Sequence, residues 1–93
     1  MRLTAKQQLE TGKRWVEKNG EAWAYLKGRV ARDIDAGKRQ PFRLSHYVEG
    51  MREHGLRFRN DAAPYVVRLL ERETGAQFTK AKSKIDLLLK EDE

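Results

Sequence analysis

The stretch Phe42–Gly75, FRLSHYVEGMREHGLRFRNDAAPYVVRLLERETG, decides the fold of this chain. Two segments within it carry apolar residues at helical spacing. In the first, Tyr47, Val48 and Met51 fall on one face of a helix running from Ser45 to about Glu53, with Ser45 as its N-cap. Phe42 and Leu44 alternate with Arg43 ahead of it, as in a very short strand. His54 and Gly55 close the helix. In the second segment, Ala63, Val66, Val67 and Leu70 form an inner face. Tyr65, Arg68, Arg72 and Glu73 are its expected outer residues. Asn60 or Asp61 caps this second helix. Pro64 lies in its first turn, where a missing N–H costs little, and Gly75 stops it. Between the two helices, Leu56-Arg57-Phe58-Arg59 alternates with period two, which turns the apolar pair inward and both arginines outward.

Upstream, Thr4 with Gln7 three residues on reads as a capping box opening a helix to about Lys18. Leu9, Trp15 and Val16 give that helix a thin apolar stripe, and Asn19-Gly20 ends it. Ala22, Leu26, Val30 and Ile34 recur every four residues, with Trp23 beside them, and mark a helix from Glu21 to about Ala36. Gly37-Lys-Arg-Gln-Pro41 is the clearest loop. Downstream, two readings stand. Gln77–Thr79 and Ile85–Leu89 could be the arms of a hairpin with Lys80–Lys84 at its tip. Alternatively, Ser83 with Asp86 three residues on could cap a C-terminal helix. The alternation of Phe78, Lys80, Lys82 and Lys84 with small or polar residues favours the hairpin.

Ninety-three residues without cysteine suit one small domain with a single core and no disulfide framework. A chain of this length buries roughly 60–65% of the surface that its unfolded form exposes. No apolar run approaches the ~20 residues that a membrane span needs. The first fifteen residues lack the apolar stretch of a signal peptide. A cytoplasmic location is the expectation, with no membrane partner. The net charge is +6, and its distribution is uneven. Residues 37–60 carry six basic and two acidic side chains, whereas 61–75 carry two and three. Such a basic surface favours anionic partners.

Catalytic chemistry is thin. The chain has no Cys nucleophile, no Gly-rich phosphate loop and no HExxH zinc motif. His46 and His54, eight residues apart on one helix, diverge by about 80° around it, which is too far to share a ligand. Glu49 and Glu53 read as a solvated face. The expectation is a protein that is not an enzyme and has no catalytic residue, metal site or cofactor.

Read with the hairpin, the elements from Glu21 onward run helix, short strand, helix, helix, strand, turn, strand. In that order the segments SHYVEGMREHG, NDAAPYVVRLLERETG and FTKAKSKID resemble small winged helix-turn-helix proteins of phage and mobile-element type. The resemblance implies a mainly α fold. It divides into an N-terminal helix over 1–20, a winged helix-turn-helix-like domain over 21–90 and an acidic tail over 91–93. The C-terminal part would be a short β-hairpin or a helix. It implies a DNA-binding regulator of transcription, with helix 61–74 in the major groove of double-stranded DNA and a basic wing over 80–84 on the backbone. Asn60, Tyr65, Arg68 and Arg72 would face the groove or its rims. Arg57 and Arg59 would meet phosphates, as would Lys80, Lys82 and Lys84 of the wing. The chain departs from that pattern in its longer connector, His54–Asn60, and in a recognition helix bearing Glu71 and Glu73.

Two other classes compete. One is a small protein-interaction or inhibitor module docking on a host protein, since a fold does not dictate its function. The other is RNA binding, which prefers exposed aromatic platforms that this chain offers sparingly. A homodimer through helix 4–18, with Trp15 on its apolar stripe, is expected if the stripe is not used within the chain itself.

Overall fold

Five helices account for nearly all regular structure in the computed structural model, which describes residues 4–80 and 84–91. They are α1 (Ala5–Lys18), α2 (Gly20–Asp35), α3 (Leu44–Glu53), α4 (Ala63–Thr74) and α5 (Ile85–Glu91), with a single 3₁₀ turn at Asn60–Ala62 ahead of α4. The protein is mainly α, as its periodicity requires. None of the described helices is long and apolar enough to cross a membrane.

The helix ends follow local chemistry at most positions. Thr4 and Gln7 form the capping box: Thr4 Oγ1 accepts from the Gln7 N–H at 3.2 Å, and Gln7 Oε1 accepts from the Thr4 N–H at 2.9 Å. Gly75 ends α4 with φ 79°, a left-handed conformation that costs glycine little. Two caps fall elsewhere than expected. Helix α3 begins at Leu44 with Arg43 at its N-cap, so Ser45 lies inside its first turn. Neither Asn60 nor Asp61 caps α4. The chain enters that helix through the 3₁₀ turn, and Ala62 is the N-cap.

Helix α4 is the centre of the molecule. It packs on α1 and α2, while α3 leans on α2 and α5 on α1. Val66 and Leu70 are completely buried, as are Leu26 and Val30 of α2 and Met51 of α3. Trp15 of α1 belongs to the same cluster as Trp23, Tyr47 and Phe78. The N-terminal helix therefore shares one core with the rest of the chain. Its apolar stripe is covered internally, with Leu9, Gly12 and Trp15 all buried. The surface expected to pair two copies through helix 4–18 is thus occupied by the chain's own core.

No C-terminal hairpin is seen among the described residues. Gln77–Thr79 pairs instead with Phe42 in an isolated parallel bridge: the Phe42 N–H donates to Gln77 O at 2.8 Å, and the Thr79 N–H to Phe42 O at 2.9 Å. Ile85–Leu89, the intended second arm, is helical as part of α5. Burial decides between the two readings. Ile85 is 0% exposed and Phe78 only 4%. The Phe78 ring meets those of Phe42 and Tyr47 edge-on or tilted, each at 6.0 Å. Phe78 also donates its backbone N–H to Glu71 Oε2 at 3.0 Å, so a side chain of α4 stands in for a strand partner. Elements that each reach the core separately have no need to pair with one another.

Candidate nucleic-acid interface

The connector 56–59 keeps its period of two. Leu56 and Phe58 are half-buried, and Arg57 and Arg59 are exposed. Phe58 meets Trp15 edge-on, with ring centroids 5.0 Å apart and planes at 71°. This is a favoured aromatic geometry, and it fastens the connector to α1. The next residue, Arg59, is thereby carried to the C-terminal half of that helix.

On α1, Arg14 and Lys18 are four residues apart and so lie one above the other. Together with Thr11, Trp15, Asn19 and Arg59 they line a cleft of about 190 Å³. Three cationic side chains from two separate elements meet there. The helix end itself presents carbonyls, the negative pole of its dipole. Asn19 blunts that pole: its backbone N–H and its side-chain amide both donate to Trp15 O, each at 2.9 Å. An anion in the cleft would be held by side chains. Arg59 lies 3.5 Å from Asp61 with both side chains more than half exposed, a pairing that solvent renders weak. Arg14 and Lys18 were not among the residues nominated from sequence. Their i, i+4 spacing was the available signal, but it is common on exposed helices.

The other nominated residues scatter. Asn60 is exposed beside Arg59. Tyr65 is half-buried and turns toward α1, where its ring lies against Gly12. Arg68 is a plain correction: it is 7% exposed and does not face solvent. Its Nε donates to Asp86 Oδ1 at 2.6 Å and its Nη2 to Oδ2 at 3.2 Å, while Nη1 reaches Pro64 O at 2.7 Å. The reason is Asp86, in the first turn of α5, which meets the guanidinium. Arg72 is exposed and shares a small pocket with Tyr65, Leu69 and Leu89. Lys80 binds Glu71 Oε2 at 2.9 Å rather than extending from a wing. Lys84 is exposed just before α5, and Lys82 lies outside the described residues.

A recognition helix inserts its N-terminal half into the major groove. In α4 that half is flanked by α1, with Val66 completely buried and Tyr65 against Gly12. The helix that sequence order assigned to the groove is the helix around which the core is built. Comparison of the chain with protein-family models, curated proteins and solved structures found no match.

Proposed function

We propose that this protein binds double-stranded DNA through the phosphate backbone, with the Arg14–Lys18–Arg59 cleft as its contact surface and Arg57 beside it. The carrying observation is the convergence of three cations from α1 and the connector on one concave site. The +6 net charge supports the same reading, because it favours encounter with a polyanion. Phosphate contacts position a protein on a duplex without reading its sequence. Any sequence preference would then come from duplex shape and deformability rather than from α4 in the groove.

The test is fluorescence anisotropy with a random-sequence duplex over a range of salt concentrations. Affinity is expected to fall steeply as salt rises. In the triple variant Arg14→Ala, Lys18→Ala, Arg59→Ala, the slope of log affinity against log salt should shrink by about 2–3, since each phosphate contact accounts for about 0.9. A triple variant that binds like the parent chain would refute the assignment of the cleft.

A further inference from the structure

A second concave surface lies on the loop between α2 and α3, and it shares no residue with the α1 cleft. It is a shallow, open hollow of about 540 Å³. Lys38, Arg39, Arg43 and His46 contribute to its lining, and all four are exposed. Its floor is apolar and well held. Phe42 and Tyr47 are buried there, edge-on at 6.1 Å. Phe42 is bonded through both backbone groups to the 77–79 segment.

One carboxylate, Asp33, also lines the site. It is already engaged. The Tyr47 hydroxyl donates to its Oδ2 at 2.7 Å, and Lys38 Nζ lies 3.3 Å from its Oδ1. Arg39 and Arg43 have no carboxylate partner among the described residues. Arg39 and Arg43 line the same hollow as this apolar floor and the exposed His46. His46 meets Tyr47 edge-on at 5.4 Å, which holds its ring at the rim. Pro41, also exposed, adds a second flat apolar surface.

We propose that this concavity binds a nucleotide, with Arg39 and Arg43 on the phosphate and His46 and Pro41 against the base. Guanidinium groups suit phosphate because their planar fork donates paired hydrogen bonds. Imidazole rings are among the side chains on which unstacked bases rest. The nucleotide could be free or part of a single strand, since both present the same phosphate and the same planar base. The site does not depend on the duplex-binding reading, because the two surfaces have separate residues and separate probes.

The experiment is an amide NMR titration of the full chain with adenosine monophosphate, a short single-stranded oligonucleotide and inorganic phosphate. Saturable shifts centred on residues 38–47 are expected, with adenosine monophosphate binding more tightly than phosphate. An oligonucleotide tighter than the mononucleotide would make a strand the ligand, and the reverse would make it the free nucleotide. Arg39→Ala with Arg43→Ala should weaken the mononucleotide by roughly tenfold or more. His46→Ala should narrow the preference over phosphate. Both changes are at exposed positions, and an unaltered circular dichroism spectrum would confirm that the fold persists. Shifts absent from 38–47, shifts centred instead on Arg14, Lys18 and Arg59, or equal affinity for phosphate and mononucleotide would each overturn the proposal.

Discussion

Gly12 and Gly28 are both helical glycines, yet their surroundings differ. A Cβ built at Gly12 would collide with Tyr65, coming within 2.7 Å of its ring carbons, whereas one at Gly28 meets nothing within 4 Å. Gly12→Ala should force α1 away from α4 and destabilise the protein by about 1–3 kcal/mol. Gly28→Ala should stabilise it by about 0.5–1 kcal/mol, because only the helix-propensity gain acts there. Urea unfolding of both variants checks the contrast. Asp33 gives a second residue-scale expectation. Burial pushes its carboxyl up, but the Tyr47 hydrogen bond, Lys38 and Arg29 outweigh burial and leave it below the ordinary value of 3.8. A folded pKa below the unfolded one means stability that is complete above 3.8 and is lost as pH falls through the lower folded value. The stability difference between the parent chain and Asp33→Asn should therefore hold steady near neutrality and shrink on acidification. Tyr47 behaves in the opposite sense. Burial and the Asp33 carboxylate raise its hydroxyl pKa, so its contribution is present below pH 10.0 and is lost as pH climbs beyond it. Tyr47→Phe should remove that alkaline loss in the same unfolding assay.

At the scale of elements, α5 is a seven-residue helix that could not persist alone. It is held by Ile85, which is fully buried, and by the Asp86–Arg68 pair. Asp86→Ala would take away one carboxylate partner of a guanidinium whose side chain is 6% exposed, while Asp86 itself is 49% exposed. Solvent at the aspartate moderates the loss, and about 1–3 kcal/mol is expected. Arg68→Met, which removes the buried charge and keeps much of the volume, should cost less. A larger loss in Arg68→Met than in Asp86→Ala, measured by urea unfolding, would show that the arginine acts through packing instead. Helix α4 shows how one sequence pattern serves two architectures. Its apolar face would suit a recognition helix lying on a three-helix core. The packing of both α1 and α2 on α4 makes it the core helix.

For the whole molecule, the shared core predicts one cooperative unit. Trp15 of α1 and Trp23 of α2 join a single cluster with residues of α3, α4 and the 76–78 segment. Removing residues 1–19 would uncover the α4 face on which α1 packs. The shortened chain is expected to bind a hydrophobic dye and to lose its sharp thermal transition, while the complete chain unfolds in one step. A truncated protein with an intact cooperative transition would mean that the other helices form a self-sufficient core. Charge acts at the same scale. Basic side chains are exposed over much of the surface, among them Lys6, Lys13, Arg29, Arg32, Arg52 and Arg72 as well as those of the α1–connector cleft and the α2–α3 loop.

The sequence by itself determined the first four helices, α1 to α4, because their evidence is local, whereas at α5 it favoured a hairpin arm. Periodic apolar residues, the Thr4–Gln7 box, Pro64 and Gly75 act within a few positions of where they stand. It also determined the connector, whose alternation depends only on the geometry of extended backbone. The partners of these elements were decided by the tertiary structure. Whether Arg68 faced a groove or a carboxylate depended on Asp86, eighteen residues away. Whether Phe78 joined a hairpin or the core depended on Phe42 and Tyr47. Arg14, Lys18 and Arg59 became one site only because Phe58 packs on Trp15. Contacts between distant positions arise when several amphipathic faces are buried together in one small core, and no short stretch of this chain encodes that competition.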